Sequence, residues 1–191
     1  DGRGELIDYV EFVFARGHLV PRADMHRTDE IMLNTFLLSN IMPQHGKFNS
    51  GTWRTLEQLV RACAKEKGDN YVITGPVFDV DNDWNGDPIE DSPRVQPTNR
   101  LAIPSHFYKI VLHERSDGFI ETISVMLRHT DRGVSGSTRR ERKEKRLQLI
   151  EDSIVSIDEV ERATGLDFLP NMNDSRERAV ERSVASGLWG S

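Results

Sequence analysis

Residues 34–61 read NTFLLSNIMPQHGKFNSGTWRTLEQLVR, a block in which a β-compatible segment runs into an amphipathic helix. The part TFLLSNIM is apolar and β-compatible, and HGKFNSG reads as a loop with two glycines. From residue 52 onward apolar side chains recur at helical spacing. This pattern predicts a helix that Asn49 or Ser50 caps at its start and Gly68 ends. We therefore expect a strand, a loop and a helix in direct succession.

One face of this predicted helix carries polar side chains. Four residues recur at a spacing of four: Asn49, Trp53, Glu57 and Arg61. Each such step turns an α-helix by about 400°, so Asn49 and Glu57 lie two turns apart on one face. An amide oxygen, with a carboxylate acting through water, suits Mg²⁺. Plainer interpretations stay open, with Asn49 as a helix cap, Glu57 as a solvated residue and Trp53 as core.

The rest of the chain predicts an α+β fold, a mostly antiparallel sheet flanked by helices. Strand patterns occur at 5–14, 70–78, 106–114, 118–127 and 152–157. Helices are expected at 156–165, where Ser156 and Glu159 form a capping box, and at 175–189. The acidic segment 79–104 reads as a loop, and the polar segment 131–146 is expected to be mobile.

Composition sets further bounds. A chain of 191 residues suggests one domain. No apolar run approaches the roughly 20 residues of a bilayer span, so no membrane partner is expected. The single cysteine, Cys63, excludes an intramolecular disulfide and a cysteine-based zinc site, and its helical context predicts a buried side chain.

The charge is unevenly distributed along the chain. A formal net charge of −6 argues mildly against a nucleic-acid partner, because phosphate backbones favour basic proteins. However, the acidic segment 77–93 and the basic segment 137–146 are far apart in the sequence. An acidic protein can therefore still carry a local basic surface.

Six motifs occur in order between residues 16 and 170. They read RGHLVPRAD, TFLLSNIMPQ, FNSGTWRTLEQLVR, YVITGPVF, HFYKIVL and ATGLDFLP. Together they resemble the DNA/RNA non-specific endonucleases with a ββα-metal motif, an endonuclease G-like family. The resemblance covers about residues 12–171, and six motifs in order are far more specific than any one of them.

The resemblance implies a catalytic set. His18 corresponds to the general base, and Asn49 to the only direct protein ligand of the metal. Asn40 supports the site, and Glu57 holds metal-bound waters. The implied cofactor is Mg²⁺, for which Mn²⁺ or another divalent ion can substitute. The matching position of Gln44 implies structural support of the loop.

Arginines complete the implied site. Arg16 and Arg61 correspond to residues near the phosphate. Family members often carry another phosphate-binding arginine upstream, for which Arg22 and Arg27 are candidate substitutes. The family usually has aspartate before RGH, where this chain has Ala15, so the orientation of His18 is an open question. The basic stretch 139–146 is not typical of the family and reads either as a DNA-contacting arm or as a solvated helix.

The function implied is metal-dependent hydrolysis of DNA and RNA to products with 5′-phosphates. The domain expected is a single endonuclease domain that spans 1–191 and lacks an N-terminal part of the family fold. The partners implied are DNA, RNA, a second copy of the chain, and an inhibitor or immunity protein. Two alternatives are a nucleic-acid-binding pseudo-nuclease and a nuclease toxin domain of a larger secreted protein. Delivery outside the producing cell is favoured over an organelle.

Overall fold

The computed structural model describes residues 14–79, 81–83, 85–95 and 100–189, and in this part of the chain two antiparallel sheets are surrounded by helices. The smaller sheet pairs β1 (Phe14–His18) with β2 (Ile41–His45). The larger sheet has the order β3–β4–β5–β6. Its strands are Tyr71–Val77, His106–Glu114, Ile120–Arg128 and Ile154–Val155. The predicted α+β class with antiparallel strands is confirmed.

Helices connect and cover the strands. Within the described residues they are α1 (Asp29–Asn34), α2 (Gly46–Phe48), α3 (Arg54–Lys67), α4 (Arg139–Glu151), α5 (Ile157–Thr164) and α6 (Asp174–Glu181). A π-helical turn, Asn49–Trp53, joins α2 to α3, and short 3-10 helices form at Arg22–Asp24, Leu38–Asn40 and Ile89–Asp91. None of the helices in the described ranges has the length and apolar character that a membrane crossing requires.

The two central strands of the larger sheet are buried on both faces. Tyr108 and Ile110 face a cluster that includes side chains of α5 and α6, whereas Phe107 faces one that includes side chains of α3 and α4. Trp53 lies in the second cluster with no exposed surface, as predicted, and Cys63 is buried as expected. This packing fixes α3, with its polar face, against the sheet.

One segment expected to be a loop is helical, so that prediction is wrong, and the segment expected to be mobile contains part of a helix, which agrees with the solvated helix left open for 139–146. The segment HGKFNSG at 45–51 becomes helical at Gly46, and Asn49 therefore does not cap the helix. The expected mobile segment 131–146 contains the first turns of α4, where the Thr138 side chain accepts a hydrogen bond from the Glu141 N–H at 3.0 Å. Burial of Ile150 in the core anchors the far end of this polar helix.

Other boundaries differ from the predictions. The helix expected at 175–189 ends at Glu181, because the chain turns so that Leu188 and Trp189 pack against the cluster on the α3 side. The strand expected at 152–157 spans only Ile154–Val155, and most of the strand expected at 5–14 lies outside the described residues. The capping box at the start of α5 is confirmed.

His129 links the smaller sheet to the larger one. Its Nε2 accepts a hydrogen bond from the His45 N–H at 2.7 Å, and its Nδ1 donates to the Pro104 carbonyl at 2.8 Å. Only the neutral imidazole can accept at one nitrogen while it donates at the other. Burial is the main reason that the pKa of His129 is lowered from 6.5 to about 4, and the nearby His45 and His106 add to the effect.

This linkage predicts acid sensitivity. Between pH 6.5 and about 4 the unfolded chain binds a proton at His129 that the folded chain does not, so the free energy of unfolding falls as the pH drops. At about 1.4 kcal/mol per pKa unit, the loss at pH 5 is on the order of 2 kcal/mol. Urea unfolding at pH 7 and pH 5 measures it. His129→Gln is expected to reduce the difference in the free energy of unfolding between pH 7 and pH 5. The part that remains comes from His106, whose pKa is also about 4. An equal pH dependence in that variant would contradict the assignment.

Candidate active site

His18 occupies the last position of β1, paired with Ile41 of β2. The ring packs edge-on against Phe36, with centroids 5.3 Å apart and planes at 84°. Its Nε2 is buried and has no hydrogen-bond partner among the described residues. Burial, aided by the nearby charge of Arg22, lowers the pKa of His18 below its ordinary value, although a hydrogen bond with the Arg16 backbone opposes the shift. The imidazole is therefore neutral at pH 7, with Nε2 available to accept a proton.

The orientation of His18 does not depend on a carboxylate at position 15. Since Nε2 has no partner, the bond to the Arg16 backbone uses Nδ1, and the contact with Phe36 fixes the ring plane. Ala15 instead pairs with Gln44 across the small sheet. The buried Gln44 side chain lies against Gly17, where an added Cβ would come within 2.1 Å of its Cδ. Glycine at position 17 is thus required by the packing beneath the base.

Asn40 holds the chain that follows His18. Its Oδ1 accepts from the Val20 N–H at 2.9 Å, and its Nδ2 donates to the carbonyls of Val20 and Thr35 at 3.0 and 2.9 Å. The Asn40 carbonyl also accepts from the Leu19 N–H at 3.0 Å. With its amide engaged by the backbone, Asn40 holds the segment that follows His18, and its supporting role in catalysis stays a prediction.

Asn49 lies at the start of the π-helical turn, half-buried. Because the helix already begins at Gly46, this side chain is not engaged in capping, and within the described residues it forms no side-chain hydrogen bond. In particular it does not bond His18, Glu57 or Arg61. The chain is kinked at Gly51, whose φ and ψ are both −105° and therefore not helical.

Glu57, on the first turn of α3, sits in a charged cluster. Burial is the main reason that its pKa is raised, while the nearby Lys109, Arg61 and Arg54 favour the charged form. Arg61 is ion-paired with Asp24, with Nη1 and Oδ1 2.7 Å apart. This ion pair joins α3, which carries Glu57, to the segment that follows His18.

Lys109 is a site residue that the sequence reasoning missed. It lies opposite Thr74 in the larger sheet, donates to the Thr74 Oγ1 at 2.6 Å, and stands 4.9 Å from the Trp53 ring centroid. Burial lowers its pKa to about 8, although Glu57 and Asp24 act in the opposite direction. A lysine in the middle of the apolar run HFYKIVL was the available signal, since a buried cation needs a partner.

The predicted phosphate-binding arginines occupy different places. Arg22 lies in the short helix after Pro21, with its guanidinium carbon 5.9 Å from the Phe36 ring centroid, so Arg22 and His18 share one aromatic neighbour. Arg16 is exposed on β1, two residues before the base. The structure thus brings Arg22 to His18 and Arg61 to Glu57.

The donor set suits a hard divalent cation. Asn49 offers an amide oxygen to which no described residue forms a hydrogen bond, and Glu57 adds a half-buried carboxylate two turns further along. One direct oxygen ligand, with a carboxylate acting through water, matches an ion that keeps most of its hydration shell, as Mg²⁺ does. By contrast, a cation that requires sulfur or several imidazoles finds no such set among these residues.

Comparisons with known proteins identify nucleases that are similar to this chain. The profile of the DNA/RNA non-specific endonuclease family matches residues 2–175. Mitochondrial endonuclease G of Bos taurus is 31% identical over 172 residues, which cover 89% of this chain and 52% of that protein. The mitochondrial nuclease of Saccharomyces cerevisiae is 31% identical over 196 residues, covering 95% of this chain and 54% of that protein. Nuclease C1 of Cunninghamella echinulata is 38% identical over 116 residues, covering 60% and 45%.

A solved structure shares the fold. The crystal structure of the EndoG/EndoGI complex, which concerns the inhibition of EndoG, matches with a TM-score of 0.68 and 28% identity. The match covers 91% of this chain and 66% of that chain. The chain spans about half the length of the curated relatives it matches, 52% for the bovine protein. Since the family profile covers most of its length, the chain belongs to the DNA/RNA non-specific endonuclease family.

Proposed function

We propose that this protein is a metal-dependent endonuclease that hydrolyses DNA and RNA without sequence or sugar specificity and leaves 5′-phosphates. The observation that carries the proposal is His18, a neutral imidazole with a buried, unpartnered Nε2 beside the charge of Arg22. A base alone would be weak support. Membership of a family of DNA/RNA non-specific endonucleases, with Asn49 and Glu57 retained, adds the second half of the argument.

His18 acts as the general base in this proposal. Nε2 takes a proton from a water molecule as that water attacks phosphorus, and the Arg16 backbone holds the imidazole through Nδ1. The same bond stabilises the protonated ring that results. Arg22, Arg16 and Arg61 bind phosphate oxygens, and their positive charge opposes the negative charge that builds up on the phosphoryl group.

Asn49 and Glu57 would hold the divalent ion, Asn49 directly and Glu57 through water. When bound, the ion stabilises the negative charge that develops on the departing 3′-oxygen, which is why cleavage leaves a 5′-phosphate. The family is typically metal-dependent, and Mg²⁺ is the ion we propose here. The nearby positive charge of Lys109 favours the ionised form of this carboxylate, against the effect of burial.

Lack of sequence and sugar preference follows from the groups involved. The imidazole, the arginines and the amide of Asn49 address the phosphodiester backbone, which carries no sequence information. The proposed chemistry also needs no 2′-hydroxyl, so DNA and RNA are both substrates. We further propose that the chain forms one domain, that it associates with a second copy, and that an inhibitor protein regulates it, as EndoGI does EndoG.

The proposal is tested by digestion of supercoiled plasmid and of RNA with Mg²⁺, with Mn²⁺, and with EDTA. Cleavage of both substrates is expected with either ion, with no activity in EDTA and recovery when excess Mg²⁺ is added. A 5′-phosphate-dependent exonuclease should degrade the products. Cleavage that persists in EDTA, or products with 3′-phosphates, would contradict the proposal. Salt-dependent DNA binding without cleavage would instead favour the pseudo-nuclease.

A further inference from the structure

A basic groove runs between α4 and the start of α3 with the turn before it; we refer to it as the α3–α4 groove. Five cationic side chains line it: Arg54, Arg139, Arg140, Lys143 and Arg146. It has a volume of about 660 Å³. No acidic or aromatic side chain of the described residues lines it, so the groove presents cationic and polar side chains and no aromatic ring on which a base could stack.

Most of this positive charge is not neutralised within the protein. In the described part of the chain, Arg54, Arg139 and Lys143 form no ion pair, and the buried Nε of Arg146 has no acceptor. Arg140 contacts Glu144 at 2.7 Å, but this pair is largely exposed. The chain as a whole has a net charge of −6. The groove is nevertheless a local positive surface, because no acidic side chain of the described residues lines it.

The groove begins where the candidate metal site ends. Its floor includes Ser50 and Gly51, the two residues after Asn49. The guanidinium of Arg146 lies 3.5 Å from where a Cβ on Gly51 would be, and Arg54 is close enough to Glu57 to influence its pKa. A strand held in the groove would therefore lead directly to the site of cleavage.

We propose that the α3–α4 groove binds the phosphodiester backbone of the substrate strand beside the scissile phosphate. From Arg139 to Arg146, α4 rises by about 10 Å, at roughly 1.5 Å per residue. This length corresponds to about three phosphates of one strand of a duplex that lies parallel to α4, because those phosphates advance by about 3.4 Å each along the duplex axis. The inference rests on the proposed function and assigns to α4 a role in affinity rather than in the chemical step.

The test compares two variants with equal loss of charge. The groove variant combines Arg139→Gln, Arg140→Gln and Lys143→Gln. The control combines Arg162→Gln, Arg178→Gln and Arg182→Gln, three exposed arginines at α5 and α6, which pack on the other face of the sheet. Binding of a fluorescent single strand and of a duplex is measured in EDTA over a range of KCl concentrations, so that it does not depend on cleavage.

For the groove variant we expect a dissociation constant raised by about 10- to 100-fold at low salt, and a salt dependence reduced by about two to three in slope, since each phosphate contact contributes about 0.7 to 0.9. The control variant should lose little. In Mg²⁺, the groove variant should raise KM for long DNA while kcat on a short chromogenic phosphodiester stays unchanged.

Three results would overturn the inference: an unchanged salt slope, an equal loss in the control, or an equal loss of kcat on the short substrate. Failure of the proposed function is distinguishable from failure of the groove. If the proposed function fails, the wild-type protein binds nucleic acid without cleaving it, and the groove and control variants still differ in affinity. If only the groove proposal fails, the wild-type protein cleaves normally and the two variants have the same affinity.

Discussion

Replacement of His18 by alanine is expected to lower kcat on plasmid DNA by about 10²- to 10⁴-fold, the range that a positioned general base contributes. The variant keeps the arginines and the donors of Asn49 and Glu57 but lacks the nitrogen that takes the proton from water. Substrate binding should change little, because the neutral imidazole contributes no charge to phosphate binding. Initial rates at saturating DNA and Mg²⁺ measure the effect.

The pH profile of the wild-type enzyme supplies an independent readout. Only neutral His18 can act as base, and burial lowers its pKa below the ordinary histidine value of 6.5. The midpoint of the acid limb of the pH–rate profile should therefore lie below pH 6.5, the ordinary histidine value. This acid limb should be absent from the residual activity of His18→Ala, and added imidazole should restore part of the rate.

His113→Ala serves as the matched control. His113 lies near the end of β4 furthest from His106 and bonds the Asp69 carbonyl, so its removal should leave kcat within about twofold of wild type. The unfolding temperature of each variant shows whether it is folded. A folded His18→Ala protein with full activity would rule out His18 as the base.

Replacement of Asn49 by alanine is expected to abolish Mg²⁺-dependent cleavage. The loss of metal affinity should exceed the roughly 10- to 100-fold cost of removing a supporting residue, because Asn49 is the only proposed direct protein ligand. Mn²⁺ binding followed by electron paramagnetic resonance measures the affinity without reference to activity. The Mg²⁺ concentration that gives half-maximal rate provides the second readout.

The structure also predicts what Asn49→Ala leaves intact. Since Asn49 caps no helix and its side chain bonds no described residue, the unfolding temperature should not fall. Asn49→Asp, which retains a hard oxygen ligand, should keep measurable metal binding. Asn171→Ala, in an exposed position before α6, is the control. Unchanged Mn²⁺ affinity in Asn49→Ala would place the ion elsewhere.

Much of the fold was predictable because its signals are local. The strand patterns at 106–114 and 118–127 and the capping box of α5 each depend on a few neighbouring residues, and the structure has β4, β5 and the capping box at these places. The helical start at Gly46 was missed because it depends on burial of Phe48 against Trp53 and Phe107. A glycine-containing sequence predicts a loop until such distant partners are known.

The residues of the candidate site that lie in sequence motifs were predictable, whereas contacts between residues far apart in the sequence were not. His18, Asn40, Asn49 and Glu57 lie in motifs of the family, although their catalytic roles stay predictions. By contrast, the ion pair of Asp24 with Arg61 spans residues far apart in the sequence. The approach of Lys109 to Glu57 depends on how α3 packs on the larger sheet. Neither contact has a local pattern in the sequence.

The small β1–β2 sheet and α3 belong to one continuous piece of chain. This continuity determines what would be transferred if the piece were placed in another protein. Every proposed catalytic group lies between Arg16 and Arg61, so the piece carries its own reactive groups. Two polar side chains connect this piece to the larger sheet. Lys109 of β4 lies near Glu57, and His129, just after β5, accepts a hydrogen bond from the His45 N–H. Transplanted alone, the piece would keep its reactive groups but lose the charge and the anchor that fix their geometry.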